Sequence, residues 1–326
     1  MKSIALVVPY FGKLPYNFQL WLESCRYNPT IDWFVFTDDA ALYIYPENVR
    51  WIYCEFEKLK ERIQTHFDFK ISLDKPYKLC DFKVAYGEIF EEELQAYDHW
   101  GYCDVDVLFG NIRRFITDDI LDRYEKVGFR GHLTIYQNTE AVRSRYRTCI
   151  NGIKNYREVF SVPKNWLFDE LQSDRLYEAL EIPVWKEVHY ADLMLYKADF
   201  YLVGRPKEEH LNKHQIFIWR RGCLERKCID NGKIRSDEFM YIHFFRRKMK
   251  LKIEEQSMVD EILIYPNTIE PLTEKVIDER FIIHKAHCSK IKFKIMFLYR
   301  SRKKITPRKV IESLKDQMKW SRRTRL

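Results

Sequence analysis

The sequence has no run of about 18 apolar residues, so no membrane-spanning helix is expected. Glycine (10) and proline (11) are scarce among 326 residues, which excludes collagen-like and Gly/Pro-rich low-complexity chains. Eight cysteines are present, at 25, 54, 80, 103, 149, 223, 228 and 288, but none forms a C-x-x-C pair. A zinc ribbon is therefore not expected. Cys25, Cys54 and Cys103 sit in apolar runs, where free cysteine behaves as a small hydrophobe. The apolar stretch Ile4–Val8 is too short for a signal peptide, Pro9 interrupts it, and no small-residue cleavage site follows. A reducing, cytoplasmic setting is the expectation.

What is present suits a folded body with an attached basic segment. Hydrophobic residues make up 46% and charged residues 32%, enough apolar material for a core and too much for a wholly disordered chain. The length fits one large or two ordinary domains. Aromatics reach 16%, with 21 Tyr, 22 Phe and 8 Trp. Such rings serve equally in a core or stacked on a flat or sugar-like ligand. The net charge of +8 is unevenly spread: from Lys285 onward there are 15 Lys/Arg and 2 Asp/Glu, a net of +13, so residues 1–284 are mildly acidic. A basic tail points to an anionic surface, membrane or nucleic acid.

Strand-like and helix-like patterns alternate through the first half. Ile4–Val8 reads as a strand buried on both faces. Phe18, Trp21, Leu22 and Cys25 recur at helical spacing. Trp33–Thr37 reads as a second strand, stopped by Asp38 and Asp39, and residues 49–56 as a third. A helix is predicted over 79–94, a strand over 100–107, and a helix through Ile112, Phe115, Ile116 and Ile120. Such alternation predicts an α/β fold with a mainly parallel sheet. Later, 165–180 looks helical, 215–219 and the segment up to Ile229 look like strands, and 239–244 is a short strand-like run. Asp230-Asn231-Gly232 is a hairpin signal, because Asn-Gly accepts the positive φ of a type I′ turn. Near the end, Thr306 and Pro307 suit a helix start. Val310, Ile311, Leu314 and Met318 then form one stripe among basic residues, as in an interfacial membrane helix or an ordinary docked surface helix.

The sharpest chemical feature is Asp104-Val105-Asp106 at the end of the strand Trp100–Cys103. Alternation along a strand lets two carboxylates at spacing two point the same way, with Val105 inward. Ligands of α/β sheets bind beyond the carboxyl ends of strands, and paired carboxylates there suit Mg²⁺ or Mn²⁺. Solvated turn aspartates are the plain alternative. A second feature is Tyr241-Ile242-His243-Phe244-Phe245-Arg246-Arg247-Lys248. His243 in this run is either a satisfied core residue or the completion of a metal site, with the following cations placed to hold phosphate.

As a set, Val8–Gly12, Trp21–Ser24, Asn28-Pro29, Asp32-Trp33, Phe36–Asp39, Tyr77–Lys83 and Gly101–Gly110 resemble bacterial glycosyltransferases of capsule and exopolysaccharide synthesis, over roughly residues 1–250. The chain is similar as well to the lipooligosaccharide galactosyltransferase type. The resemblance implies the GT-A fold, a Rossmann-like mixed sheet with helices on both faces, a nucleotide-sugar donor, with UDP the expected nucleotide, and Mn²⁺ or Mg²⁺. It assigns Asp104, Asp106 and His243 as metal ligands and Lys248 as a diphosphate contact.

Further expectations follow. The loop Pro9, Tyr10, Phe11 would meet the nucleotide, with Tyr10 or Phe11 either stacking on the base or simply packing. Asp38 and Asp39 would reach the nucleoside. Lys78 and Lys83 would face the donor, unless they are ordinary helix charges. Asp169 and Glu170 are candidate bases for the acceptor hydroxyl, with Asp192 a weaker one; they lie in an aromatic-Asp-Glu segment that the family often carries, although Leu171-Gln172-Ser173 lacks the Trp and Gly that usually follow. The expected organisation is a catalytic domain over 1–250, an extension over 251–284 and a basic membrane-associating helical tail over 285–326. The enzyme would work peripherally on the inner face of the membrane, on a growing, lipid-linked glycan. Rival expectations are a sugar nucleotidyltransferase, against which the glycine-poor loop Pro9–Lys13 speaks, and a nucleic-acid-binding protein led by the tail, for which no known module appears.

Overall fold

In the computed structural model, which describes residues 1–204, 214–253 and 260–289, the first apolar run forms β1 (Ile4–Pro9), buried from Ile4 to Val8. Its side chains alternate between two cores. Ala5 and Val7 enter one with Phe36 and Phe82, while Ile4, Leu6 and Val8 enter the other with Trp21 and Trp33. A continuous apolar strand with a two-residue repeat demands this cover on both faces. Helix α1 (Phe18–Arg26) supplies it on one side through Phe18, Trp21, Leu22 and Cys25. Helix α2 (Phe56–Thr65) packs Leu59 and Ile63 on the other.

Strands β2 (Ile31–Thr37), β3 (Val49–Tyr53) and β4 (His99–Cys103) follow. β1 lies between β2 and β4 and pairs with both in parallel. After a short β5 (Val107–Phe109), strands β6 (Lys126–Arg130), β7 (Leu133–Gln137) and β8 (Val184–Trp185) complete a seven-stranded sheet in the order β3-β2-β1-β4-β7-β6-β8. Only β7 runs against the others in this sheet. The protein is thus a mixed α/β fold with a mainly parallel, Rossmann-like sheet. β1 and β4 mark the point where the strand order reverses, where α/β sheets open a crevice at their carboxyl ends.

Three predicted elements are broken, the helix expected through residues 112–120 among them, which divides into a turn over Ile112–Arg114 and a helix over Asp118–Arg123. The helix expected over 79–94 is a chain of short turns, Leu79–Phe82, Lys83–Ala85, Tyr86–Ile89 and Glu91–Leu94. Nearly every residue from Leu79 to Phe90 is buried, so packing on all sides overrides the amphipathic stripe. At Gly87 a Cβ would come within 2.5 Å of the Trp100 ring. The strand expected over 100–107 ends at Cys103 and resumes as β5 in another sheet.

The remaining strands are β9 (Ala191–Asp192), β10 (Gln215–Arg220), β11 (Cys223–Asp230), β12 (Lys233–Phe239), β13 (Tyr241–His243), β14 (Lys250–Leu251), β15 (Glu261–Tyr265) and β16 (Thr268–Pro271). Asn231 and Gly232 turn the β11–β12 hairpin with φ of 50° and 71°, as the Asn-Gly signal requires. A six-stranded sheet in the order β12-β11-β10-β15-β16-β14 runs across the boundary expected at residue 250. A helix over Glu279–Ala286 lays Ile282 and Ala286 on Ile216, Ile218 and Leu263. The tail helix expected over 306–318 lies outside the described residues. Among the described residues, no helix is long and apolar enough to cross a membrane.

Glu270 ties this helix to the sheet. It accepts from Lys252 Nζ (2.6 Å), Tyr265 Oη (2.9 Å) and Lys285 Nζ. Burial would raise its pKa, but these partners outweigh burial and hold it near 2, against an ordinary 4.5. A carboxylate with a lowered folded pKa stabilises above its unfolded value and loses that contribution as pH falls. Glu270→Gln is expected to cost about 1–2 kcal/mol at pH 7 after solvent screening. The deficit should vanish near pH 2, as read by urea unfolding at the two pH values.

Candidate metal centre

The break between β4 and β5 builds the site. Residues 104–106 carry the chain out of the main sheet into a three-stranded sheet, β5-β13-β9. β13 runs antiparallel to β5, with His243 opposite Val107, and parallel to β9, with His243 opposite Asp192. The Phe244 N–H also donates to the Asp106 carbonyl (2.9 Å). This register delivers an imidazole from far along the chain to the acidic turn. Val105 is 7% exposed and belongs to the core, while Asp104 and Asp106 keep 34% and 29% of their side-chain surface open. Because 104–106 form a turn between two strands, the turn and not strand alternation sets this arrangement.

One oxygen each of Asp104 and Asp106 and one nitrogen of His243 all lie within 4.8 Å of one another. His243 Nε2 is 3.4 Å from Asp106 Oδ1, and Nδ1 is 2.8 Å from Asp192 Oδ1. Burial would lower the His243 pKa, but the Asp106 and Asp192 hydrogen bonds outweigh it and push it up to about 10. For Asp106, burial acts upward, yet the bond with His243 and the Arg246 N–H (3.1 Å) prevail and hold its pKa below the ordinary value. Two carboxylates and an imidazole within reach of one point match the donor set of Mn²⁺, whereas Mg²⁺ prefers oxygen alone. Asp192, on the far nitrogen of His243, is an orienting carboxylate of the kind that fixes a ligating histidine.

Lys83 stands beside this group. Its Nζ donates to Asp104 Oδ1 (2.7 Å) and to the Gly131 carbonyl (2.8 Å), and lies 3.5 Å from Asp169 Oδ2. Asp169 is 4% exposed. Burial foremost, then Glu170 and Asp104, raise its pKa to about 7 against the pull of Lys83. Glu170 is the more accessible of the two and accepts the Gly131 N–H (3.0 Å). Glycine at 131 leaves room for both carboxylates: a Cβ there would meet Asp169 Oδ2 at 2.5 Å and Glu170 Oε1 at 3.0 Å, so the two side chains would have to shift.

Several expected residues stand elsewhere. Lys78 is turned into the core. It is buried, paired with Asp81 (2.8 Å) and bonded to the Val159 and Lys164 carbonyls. Asp81 in turn accepts from the N–H groups of Trp166 and Phe168, on either side of Leu167, whose φ is 54°. The Lys78–Asp81 pair therefore fixes the segment that carries Asp169. Phe11 is 8% exposed and packs edge-on to Phe56 at 5.3 Å, so it is a core ring rather than a stacking platform. Tyr10, which follows Pro9 at the end of β1, is part-buried; burial first, then the Asp106 and Asp39 charges, raise its pKa. Asp38 and Asp39 shape the loop, accepting the Gly12 N–H (2.6 Å) and the Leu14 N–H (2.8 Å). Lys248 is exposed. Of the cations at 246–248, Arg246 is the one bonded to the acidic turn: its N–H donates to Asp106 and its guanidinium to Tyr77 Oη (2.6 Å). Positive φ at Phe245 and Arg246 turns the chain there, a conformation that the run of cations does not announce. Arg247 is buried and bonded to carbonyls of 197–199. His132, on the turn between β6 and β7, carries no sequence signal at all, yet its ring stacks on His243.

The fold and site thus define a mixed α/β protein with a two-carboxylate, one-imidazole candidate metal centre at the strand-order reversal. The chain belongs to a family described as a family of unknown function (DUF6625), whose model matches residues 6–273. A comparison with curated proteins finds no match.

Proposed function

We propose that this protein is a metal-dependent glycosyltransferase of the GT-A type, which moves a sugar from a nucleoside-diphosphate sugar, with UDP the expected nucleotide, to a cell-surface or lipid-linked glycan. One observation supports it above others: Asp104, Asp106 and His243 converge on a point beyond the carboxyl end of β4. These three residues would hold Mn²⁺ or Mg²⁺. When bound, such an ion supplies the charge stabilisation that a departing diphosphate needs. Tyr10 borders the nucleotide side of the crevice. Glu170, part-exposed beside Asp169, is the better placed carboxylate to take a proton from an acceptor hydroxyl, and Lys83 keeps Asp104 and Asp169 close together despite their like charge. The basic segment beyond residue 285 would hold the enzyme on anionic lipid near its acceptor, at about 1 kcal/mol per basic residue close to the surface.

A thermal-shift panel of UDP-, GDP- and CMP-sugars with and without Mn²⁺ tests the proposal. One nucleotide class should raise Tm by on the order of 3–6 °C at about 100-fold over its Kd, and only with the metal. No shift with any donor in the presence of Mn²⁺ would remove the proposal.

A further inference from the structure

A second set of metal-competent atoms lies on the other side of His243. One nitrogen of His132, one of His243 and a carboxylate oxygen of Asp192 all lie within 4.8 Å of one another. His132 is 4% exposed, and its ring stacks on that of His243 with centroids 4.4 Å and planes 25° apart. Its Nδ1 is 2.7 Å from the Tyr241 hydroxyl, while its Nε2 is buried with no hydrogen-bond partner. A buried polar atom without a partner is costly, and a bound ion is one way such an atom is satisfied. Histidines that hold metals show this division of labour. One nitrogen donates its N–H to a fixed oxygen, which sets the tautomer, and the other offers its lone pair. Of the two tautomers, the one that donates from Nδ1 to the Tyr241 oxygen leaves Nε2 as that lone pair.

We propose that His132, Asp192 and His243 form a second divalent-cation position, one that excludes occupation of the Asp104/Asp106/His243 position. Two imidazoles and one carboxylate favour a borderline ion such as Zn²⁺, whereas the two-aspartate position favours harder Mn²⁺ or Mg²⁺. A neutral imidazole has one lone pair, so His243 serves one ion at a time. Zinc on the His132 side takes His243 away from the aspartates and thereby weakens manganese binding.

The test uses the full chain, stripped of metal, with Zn²⁺ and Mn²⁺ titrated by calorimetry and Co²⁺ followed by its visible absorption. His132→Phe keeps the stacked ring and removes both nitrogens; His132→Ala is the companion variant, and melting curves report whether each folds. Both are expected to weaken zinc binding by about 10-fold or more and to leave manganese affinity within about twofold of wild type. Asp104→Asn is expected to do the reverse. Zinc preloading should weaken manganese binding in wild type and not in His132→Phe. Unchanged zinc affinity in folded His132→Phe would overturn the proposal, as would an equal loss of both metals in Asp104→Asn, which would mean a single shared position. Zinc bound through His132 in a protein that takes no nucleotide sugar would keep this inference and discard the transferase reading, so the two fail separately.

Discussion

Asp106→Asn should lose manganese-dependent hydrolysis of the best donor by about 100-fold or more, while melting within a few degrees of wild type. The amide keeps an oxygen for the Arg246 N–H, which now binds Asp106 Oδ2 at 3.1 Å, so the turn after β4 should hold. What goes is the anionic charge facing His243 Nε2 at 3.4 Å and with it one of two carboxylate donors. Manganese affinity, followed by titration, should fall together with turnover. Equal metal-dependent turnover in the two proteins would contradict the assignment of this ligand.

Lys83→Met should be the most destabilising change near the site, by about 3–5 kcal/mol, because it strips a buried cation from two carboxylates. The Lys83 ammonium is nearly closed to solvent, 2.7 Å from Asp104 and 3.5 Å from Asp169. The deficit should depend on pH, and its sign follows from Asp169. Burial already raises this carboxyl to about 7 against an ordinary 3.8, so the folded state holds its proton longer than the unfolded chain and stability falls as pH rises through that interval. Without Lys83 the folded value rises further, and the fall continues beyond neutrality. Urea unfolding at pH 5 and pH 8 should therefore show a larger deficit at pH 8. An equal deficit at both would mean that Lys83 acts by packing alone.

The residues that were easiest to read are those whose role is local. The Asn231-Gly232 turn follows from backbone sterics, and Val105 is buried between two part-exposed aspartates as expected, although in a turn and not in the strand that was expected. Lys78 and Lys83 show where such reading stops. Both sit in the same short helical stretch with similar neighbours in sequence, yet Lys78 is locked to Asp81 and two carbonyls, while Lys83 reaches the acidic turn. Which face of a fully buried, kinked segment meets which loop depends on everything packed around it. His132 was invisible for the same reason: its partners, Tyr241 and His243, come from a strand that only the tertiary pairing brings near.

The amino-acid order alone determined the alternation of buried strands and amphipathic helices in the first half of the chain, the acidic turn after the fourth strand and the hairpin at residue 231, because side-chain periodicity and turn sterics act over a few residues. Only the folded structure decided that the strand expected over 100–107 divides between two sheets, that the second sheet passes residue 250, and that His243 stands between Asp106 and Asp192. Those outcomes depend on inter-strand register, which is set by hydrogen bonding and core packing between segments more than a hundred residues apart for β5 and β13 and leaves no mark on the local pattern of either segment.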